Sequence, residues 1–91
     1  MIVLRTKRGD KALRKLDPSV RAAANAALKA FLTDRSAHGL NFEKLKGHEA
    51  LYSIRINSNF RIILTRTSVP DTFEIDRIGP HDVYRRLGGD D

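Results

Sequence analysis

Two apolar runs joined by three polar residues constrain this chain more than any other feature in it. Leu51-Tyr52-Ser53-Ile54-Arg55-Ile56 and the run from Phe60 to Thr67 flank Asn57-Ser58-Asn59. Both runs are rich in β-branched and aromatic residues, which favour strands. Asn tolerates positive φ, and Asn and Ser side chains bond to nearby backbone, so the middle segment is a turn. The reading is a β-hairpin. Side chains alternate faces along a strand. Tyr52, Ile54 and Ile56 therefore share one face, and Leu51, Ser53 and Arg55 share the other. Across the turn, Arg61 alternates with Phe60 and Ile62.

The rest of the chain is organised around that hairpin. Thr72 to Ile78 reads as a third strand after the turn Val69-Pro70-Asp71, and Gly79-Pro80 ends it. Pro80 then opens a short helix through Leu87, and residues 88–91 form a frayed tail. Before the hairpin, Val20, Ala23, Ala24, Ala27, Leu28 and Phe31 fall at i, i+3, i+4, i+7 spacing. That is one apolar stripe of a helix. Asp17-Pro18 starts it, with Asp as N-cap acceptor and Pro at the first helical position. Ala12, Leu13 and Leu16 place a shorter helix just upstream, after the basic stretch Arg5 to Lys11. Ile2 to Arg5 reads as a first strand, Asp34 to Gly39 as a polar connection, and Asn41 to His48 as less regular chain. Consecutive strands with tight turns imply antiparallel pairing, with the helices on one face. The predicted class is α+β: an N-terminal strand and helical hairpin packed on a small antiparallel sheet, closed by a short C-terminal helix.

Size and charge bound the function. At 91 residues the chain fits one domain over 1–91 with a thin core. Lys and Arg number 17 against 11 Asp and Glu, a formal net charge of +6. So much positive charge on a small body attracts polyanions: nucleic acid, the ribosome or an acidic protein segment. There is no cysteine, which excludes a disulfide scaffold and a thiolate zinc site. The run Met1-Ile2-Val3-Leu4 is too short for a signal peptide, and no stretch approaches a membrane span. The expected location is the cytoplasm, with no membrane partner.

Most catalytic motifs are missing. No Gly-rich phosphate loop is present, and His38, His48 and His81 have no i, i+4 spacing for a helical metal site. No cofactor or metal is expected. What remains is a set of basic groups on strands. Arg is costly to bury unpaired, so Arg55 and Arg61 each need a carboxylate partner or an open anion-binding surface. In the last segment, a helix would bring His81, Tyr84 and Arg85 to one side. That combines a proton carrier near neutral pH, a phenol and a fixed cation. RNA cleavage by its own 2′-OH needs such a set: a base for the 2′ proton, cations for the crowded phosphate, and an acid for the leaving 5′ oxygen.

These segments, in this order, resemble the RelE/ParE toxin superfamily. The resemblance rests on Leu45-Lys46-Gly47 followed by the hairpin from Leu51 to Leu64, and on Ile78-Gly79-Pro80-His81-Asp82-Val83-Tyr84-Arg85-Arg86. The Tyr-Ser-Ile-Arg-Ile-Asn run is similar to the HigB-type branch. The resemblance implies a toxin held silent by a cognate antitoxin, and an endoribonuclease that cuts mRNA, commonly on the ribosome, without a metal. It implies that Arg61 stabilises the phosphate, that Arg55 is the strand arginine before the turn, and that His81 stands at a catalytic position. Tyr84 fits the aromatic that orients or stacks on the substrate base. Lys44, Lys46, Arg77 and Arg85 are the expected RNA contacts.

There are departures from the family pattern. RelE carries catalytic lysines where this strand offers Ser53 and Ile54. Other members use a carboxylate base, for which Glu43 and Glu49 are available. His81 is the base favoured here, because its ordinary pKa lies near neutrality. The ParE branch shares the fold but poisons DNA gyrase without a catalytic set. A degenerate toxin kept only for antitoxin binding is the third reading.

Overall fold

The structure is a computed structural model that describes residues 1–34, 36, 37 and 39–80. The expected C-terminal helix from Pro80 to Leu87 and the tail 88–91 lie outside the described residues, apart from Pro80.

Seven elements follow one another: β1 (Ile2–Leu4), α1 (Lys7–Arg14), α2 (Pro18–Thr33), β2 (Glu43–Lys44), β3 (Leu51–Arg55), β4 (Phe60–Arg66) and β5 (Thr72–Pro80). The strands form one sheet in the order β1-β5-β4-β3-β2. From β2 to β5 all pairing is antiparallel, as expected for consecutive strands. β1 instead joins β5 in parallel, pairing Ile2–Leu4 with Thr72–Glu74, so the sheet is mixed. Both helices lie between β1 and the rest of the sheet in sequence, and a connection of that length permits a parallel crossover.

Local chemistry sets the element ends. Thr6 caps α1, its Oγ1 accepting from Gly9 N at 2.9 Å, so the helix begins inside the segment read as a basic stretch. Asp17 does not cap α2 through its side chain, contrary to expectation. Its backbone carbonyl accepts from Arg21 N at 2.8 Å. Arg21 then reaches back across the bend: its Nε donates to the Leu13 carbonyl at 3.1 Å, and its Nη2 to those of Arg14 and Leu16 at 3.0 Å each. One guanidinium thus satisfies the last carbonyls of α1 and fixes the helical hairpin.

The β3–β4 turn is built by side-chain bonding. Asn57 Oδ1 accepts from Asn59 N and Phe60 N, both at 2.8 Å. Among the described non-glycine residues, positive φ falls at Asn41 and Asp71 and not in this turn. β5 runs two residues past its expected end at Ile78, with Gly79 opposite Arg61 and Pro80 opposite Phe60. Proline is tolerated there for a geometric reason. Phe60 directs both its N–H and its C=O toward the β3 side, so its pairing with Pro80 is the non-hydrogen-bonded kind. The missing N–H of Pro80 therefore removes no ladder bond.

The main core lies between the helices and one face of the sheet. Ala24, Ala27 and Phe31 of α2 meet Ile54, Ile62, Leu64, Phe73 and Ile75. Phe31 packs edge-on to Phe73, and Phe42 stacks on Tyr52 at 5.2 Å between ring centroids. The opposite face carries a smaller apolar cluster of Leu45, Ile63 and Leu51. That second patch leaves the adjoining part of the outer face to polar side chains.

Candidate anion-binding face of the sheet

Register decides what shares the outer face. Arg55 stands directly opposite Arg61, and Ser53 opposite Ile63. Directly opposite residues project to the same side, with Cβ atoms about 4.5–5.5 Å apart. Glu43 stands opposite Ser53 and so joins the same face. On β5, Gly79 stands opposite Arg61 and carries no side chain. The face around Arg61 is thus bordered by a second arginine, a serine and a glycine.

Arg55 is exposed, and its Nε donates to the Asn57 carbonyl at 3.3 Å, which draws the guanidinium toward the turn. Arg61 is half-buried. Its Nη1 is buried and makes no hydrogen bond, and neither does the buried Ser53 Oγ. Among the described residues the ion pairs are Arg5–Asp10, Arg8–Asp76 and Arg77–Asp76. Among the described residues neither hairpin arginine is ion-paired to a carboxylate. Of the two readings for an arginine within an apolar strand, the carboxylate partner is not found. Chemically, this face offers donors and positive charge, and among the described residues its one carboxylate by register, Glu43, is ion-paired to neither arginine, which suits a phosphate.

The other expected residues are placed differently. Lys44 stands opposite Tyr52, and therefore on the helix side of the sheet, away from Arg61. Lys46 is exposed on the connection between β2 and β3, beside Gly47, His48 and Glu49. Arg77 stands opposite Ile63, but the ladder slips there: Leu64 pairs with Ile75, and Asp76 is the extra residue of a bulge. Arg77 Nε donates to Asp76 Oδ2 at 2.9 Å, and Arg8 Nη1 donates to Asp76 Oδ1 at 3.1 Å. Arg77 accordingly lines a groove of about 630 Å³ with Arg8, Lys11 and Lys15 of α1 and its continuation. His81, Tyr84 and Arg85 lie outside the described residues.

Two residues of the face escaped sequence reasoning. The sequence puts Ser53 on the Arg55 face and Gly79 at a strand end, but assigns neither a role in the site. Strand alternation does place Ser53 beside Arg55 on one face, and that signal was available. Among the described residues no group of three His, Cys, Asp or Glu is arranged to hold a metal ion. No helix among them is long and apolar enough to cross a membrane.

No protein-family pattern matches the chain, and no curated protein does. Solved structures do match. RelE in the RelB–RelE antitoxin–toxin complex of Methanococcus jannaschii is 22% identical, with a TM-score of 0.63 over 86% of this chain and 87% of that one. A YoeB/ParE toxin from Agrobacterium tumefaciens is 18% identical, with a TM-score of 0.67 over 89% of this chain and 99% of that one. YoeB from Staphylococcus aureus, solved as a dimer, is 21% identical, with a TM-score of 0.64 over 89% and 97%. The chain shares the fold of these RelE and YoeB toxin structures.

Proposed function

We propose that this protein is the toxin of a toxin–antitoxin pair, and that it cuts mRNA on the ribosome in the cytoplasm and so stops translation. One observation carries the reading. Arg61 holds a half-buried guanidinium on the sheet face, opposite a second arginine, with no carboxylate paired to it among the described residues. So costly a cation calls for an anion from outside the chain, and an RNA phosphate supplies one.

In this reading the RNA supplies its own nucleophile. A base takes the proton of a 2′-OH, and the 2′ oxygen attacks the adjacent phosphorus. The bond from phosphorus to the 5′ oxygen breaks, and an acid protonates that oxygen. The products are a 2′,3′-cyclic phosphate and a 5′-OH end. Arg61 stabilises the negative charge that builds on the phosphoryl oxygens, and Arg55 adds to the field at the face's rim. His81 is the proposed base, and Tyr84 the proposed base-stacking aromatic. Lys46 and Arg85 would hold the strand electrostatically. Lys44 lies on the helix side, away from Arg61, and would touch only RNA that passes beyond the cut, whereas Arg77, diagonal to Arg61 by register, is ion-paired to Asp76.

The proposed partner is an antitoxin with an acidic segment, which the net charge of +6 suits. Relatives of this fold have been solved as RelB–RelE complexes. The test is expression without an antitoxin, followed by mapping of RNA 5′ ends. Cleaved mRNA on translating ribosomes, persisting in EDTA, supports the reading. Growth arrest through DNA damage with intact mRNA assigns the protein to gyrase inhibition instead. Normal growth leaves antitoxin binding alone.

A further inference from the structure

Ser53 is only 1% exposed, yet its Oγ has no hydrogen-bond partner. Arg61 Nη1 is buried and unpartnered in the same way. Both side chains leave the same face of adjacent strands. Ser53 stands opposite Ile63, two residues along β4 from Arg61, so the two form a diagonal pair. Diagonal neighbours lie about 7–8 Å apart at the backbone, within reach of a long side chain. Buried polar atoms without a bond are rare, and each needs a physical account.

The chemistry of the two atoms narrows that account. A guanidinium can only donate, whereas a hydroxyl can donate and accept. One anionic oxygen accepting from both would satisfy both. The nearest carboxylate by register, Glu43 opposite Ser53, forms no ion pair or hydrogen bond with either. We propose that Ser53 is a second ligand of the phosphate held by Arg61, its Oγ–H and Arg61 Nη1–H converging on one non-bridging phosphoryl oxygen of the RNA strand. The identity of that strand rests on the function proposed above; the paired anion site rests on the geometry. Gly79 opposite Arg61 brings no side chain of its own to compete for the guanidinium. Among the described residues Arg61 is in no ion pair, so meeting an anion would break no salt bridge seen there. Ser53, being neutral, can stay buried between turnovers at far lower cost than a lysine or a carboxylate.

The test uses a short RNA with fluorine in place of every 2′-OH, which keeps the phosphates but cannot attack itself. Its affinity is measured for the wild type, Ser53→Ala, Ser53→Thr, Arg61→Gln and the Ser53→Ala/Arg61→Gln pair. Loss of one hydrogen bond to a charged group predicts about tenfold weaker binding for Ser53→Ala. Ser53→Thr keeps the hydroxyl and is expected to bind like the wild type. In the Arg61→Gln background the alanine substitution should cost less than about twofold, because the two ligands act together. Wild-type affinity in Ser53→Ala overturns the proposal, as does an alanine effect undiminished without Arg61. If mRNA is cut but Ser53 is uncoupled from Arg61, this inference fails and the nuclease reading stands. If the coupling is found but no RNA is cut, the anion site stands and the nuclease reading fails. Absence of any binding by the wild type removes both.

Discussion

Arg55 and Arg61 face each other directly across β3 and β4, and no carboxylate among the described residues pairs with either. Like charges directly opposite on a sheet are destabilising by about 0.2–1 kcal/mol. A buried donor left without a bond adds a penalty of about 1–3 kcal/mol. A fold selected only for stability would replace one of these residues. Their juxtaposition in one cross-strand pair is understandable if the face is built to receive negative charge.

That argument predicts a trade of stability against function at Arg61. Arg61→Met keeps the length of the arm and removes the charge. Its stability should rise by about 0.5–1 kcal/mol, read from urea unfolding of the two proteins. RNA cleavage by the same variant should fall by about 10²-fold or more. A clear loss of stability would mean that Arg61 is held by the protein itself and is not reserved for a ligand.

Arg21 predicts a purely structural effect. It ties three carbonyls at the end of α1 to the start of α2. Arg21→Ala should destabilise the protein by about 1–2 kcal/mol, since water replaces part of the lost bonding. Arg21→Lys should recover less than half of that, because an ammonium lacks the planar fork that reaches several carbonyls. Thermal unfolding of the three proteins checks both statements.

A local pH effect is expected at the end of α2. The Ser36 hydroxyl and amide both donate to Asp34 Oδ1, at 2.6 and 3.0 Å, and hold the carboxyl below its ordinary value. A depressed folded-state pKa stabilises above the unfolded value, and that contribution disappears as pH falls through the folded one. Ser36→Ala should return the Asp34 titration toward the ordinary carboxylate range, as read by NMR. An unchanged titration would show that the hydroxyl does not act on it.

Much of this architecture was readable from the residues. Strand alternation and the Asn57-Ser58-Asn59 turn gave the hairpin and its two faces, and helical spacing from Val20 to Phe31 gave α2. Both are local patterns, visible in a short window. The parallel seat of β1 beside β5 was not readable, because it depends on residues about seventy positions apart meeting across a crossover. Nor was the two-residue strand β2, which has too few residues to show a period. Its register nevertheless decides that Lys44 points to the helix side while Glu43 joins the arginines, because one position along a strand changes the face. The ion pair of Arg77 is another local event that no sequence period shows. The bulge at Asp76 breaks the alternation, and the carboxylate of the extra residue holds the arginine's guanidinium. Ser53 is the subtler case. Its position was legible, but its missing hydrogen bond is a property of packing.

The His81 assignment can be judged separately from the arginine face. Loss of general acid–base work lowers a rate by about 10²–10⁴-fold. His81→Ala should therefore lose at least about 10²-fold in cutting rate while still binding the fluorinated RNA with wild-type affinity. Undiminished cutting would remove His81 from the chemistry and return the role of base to a carboxylate such as Glu43.

The central claim is that the Arg55–Arg61 face carries an RNA phosphate through cleavage. Its most direct measurement is cleavage of mRNA on translating ribosomes by purified wild-type protein and by Arg61→Ala, with 5′ ends mapped by primer extension. The account predicts discrete 5′-OH ends for the wild type and a loss of about 10²-fold or more for the variant. Equal cleavage by the two proteins, or intact mRNA with both, would contradict it.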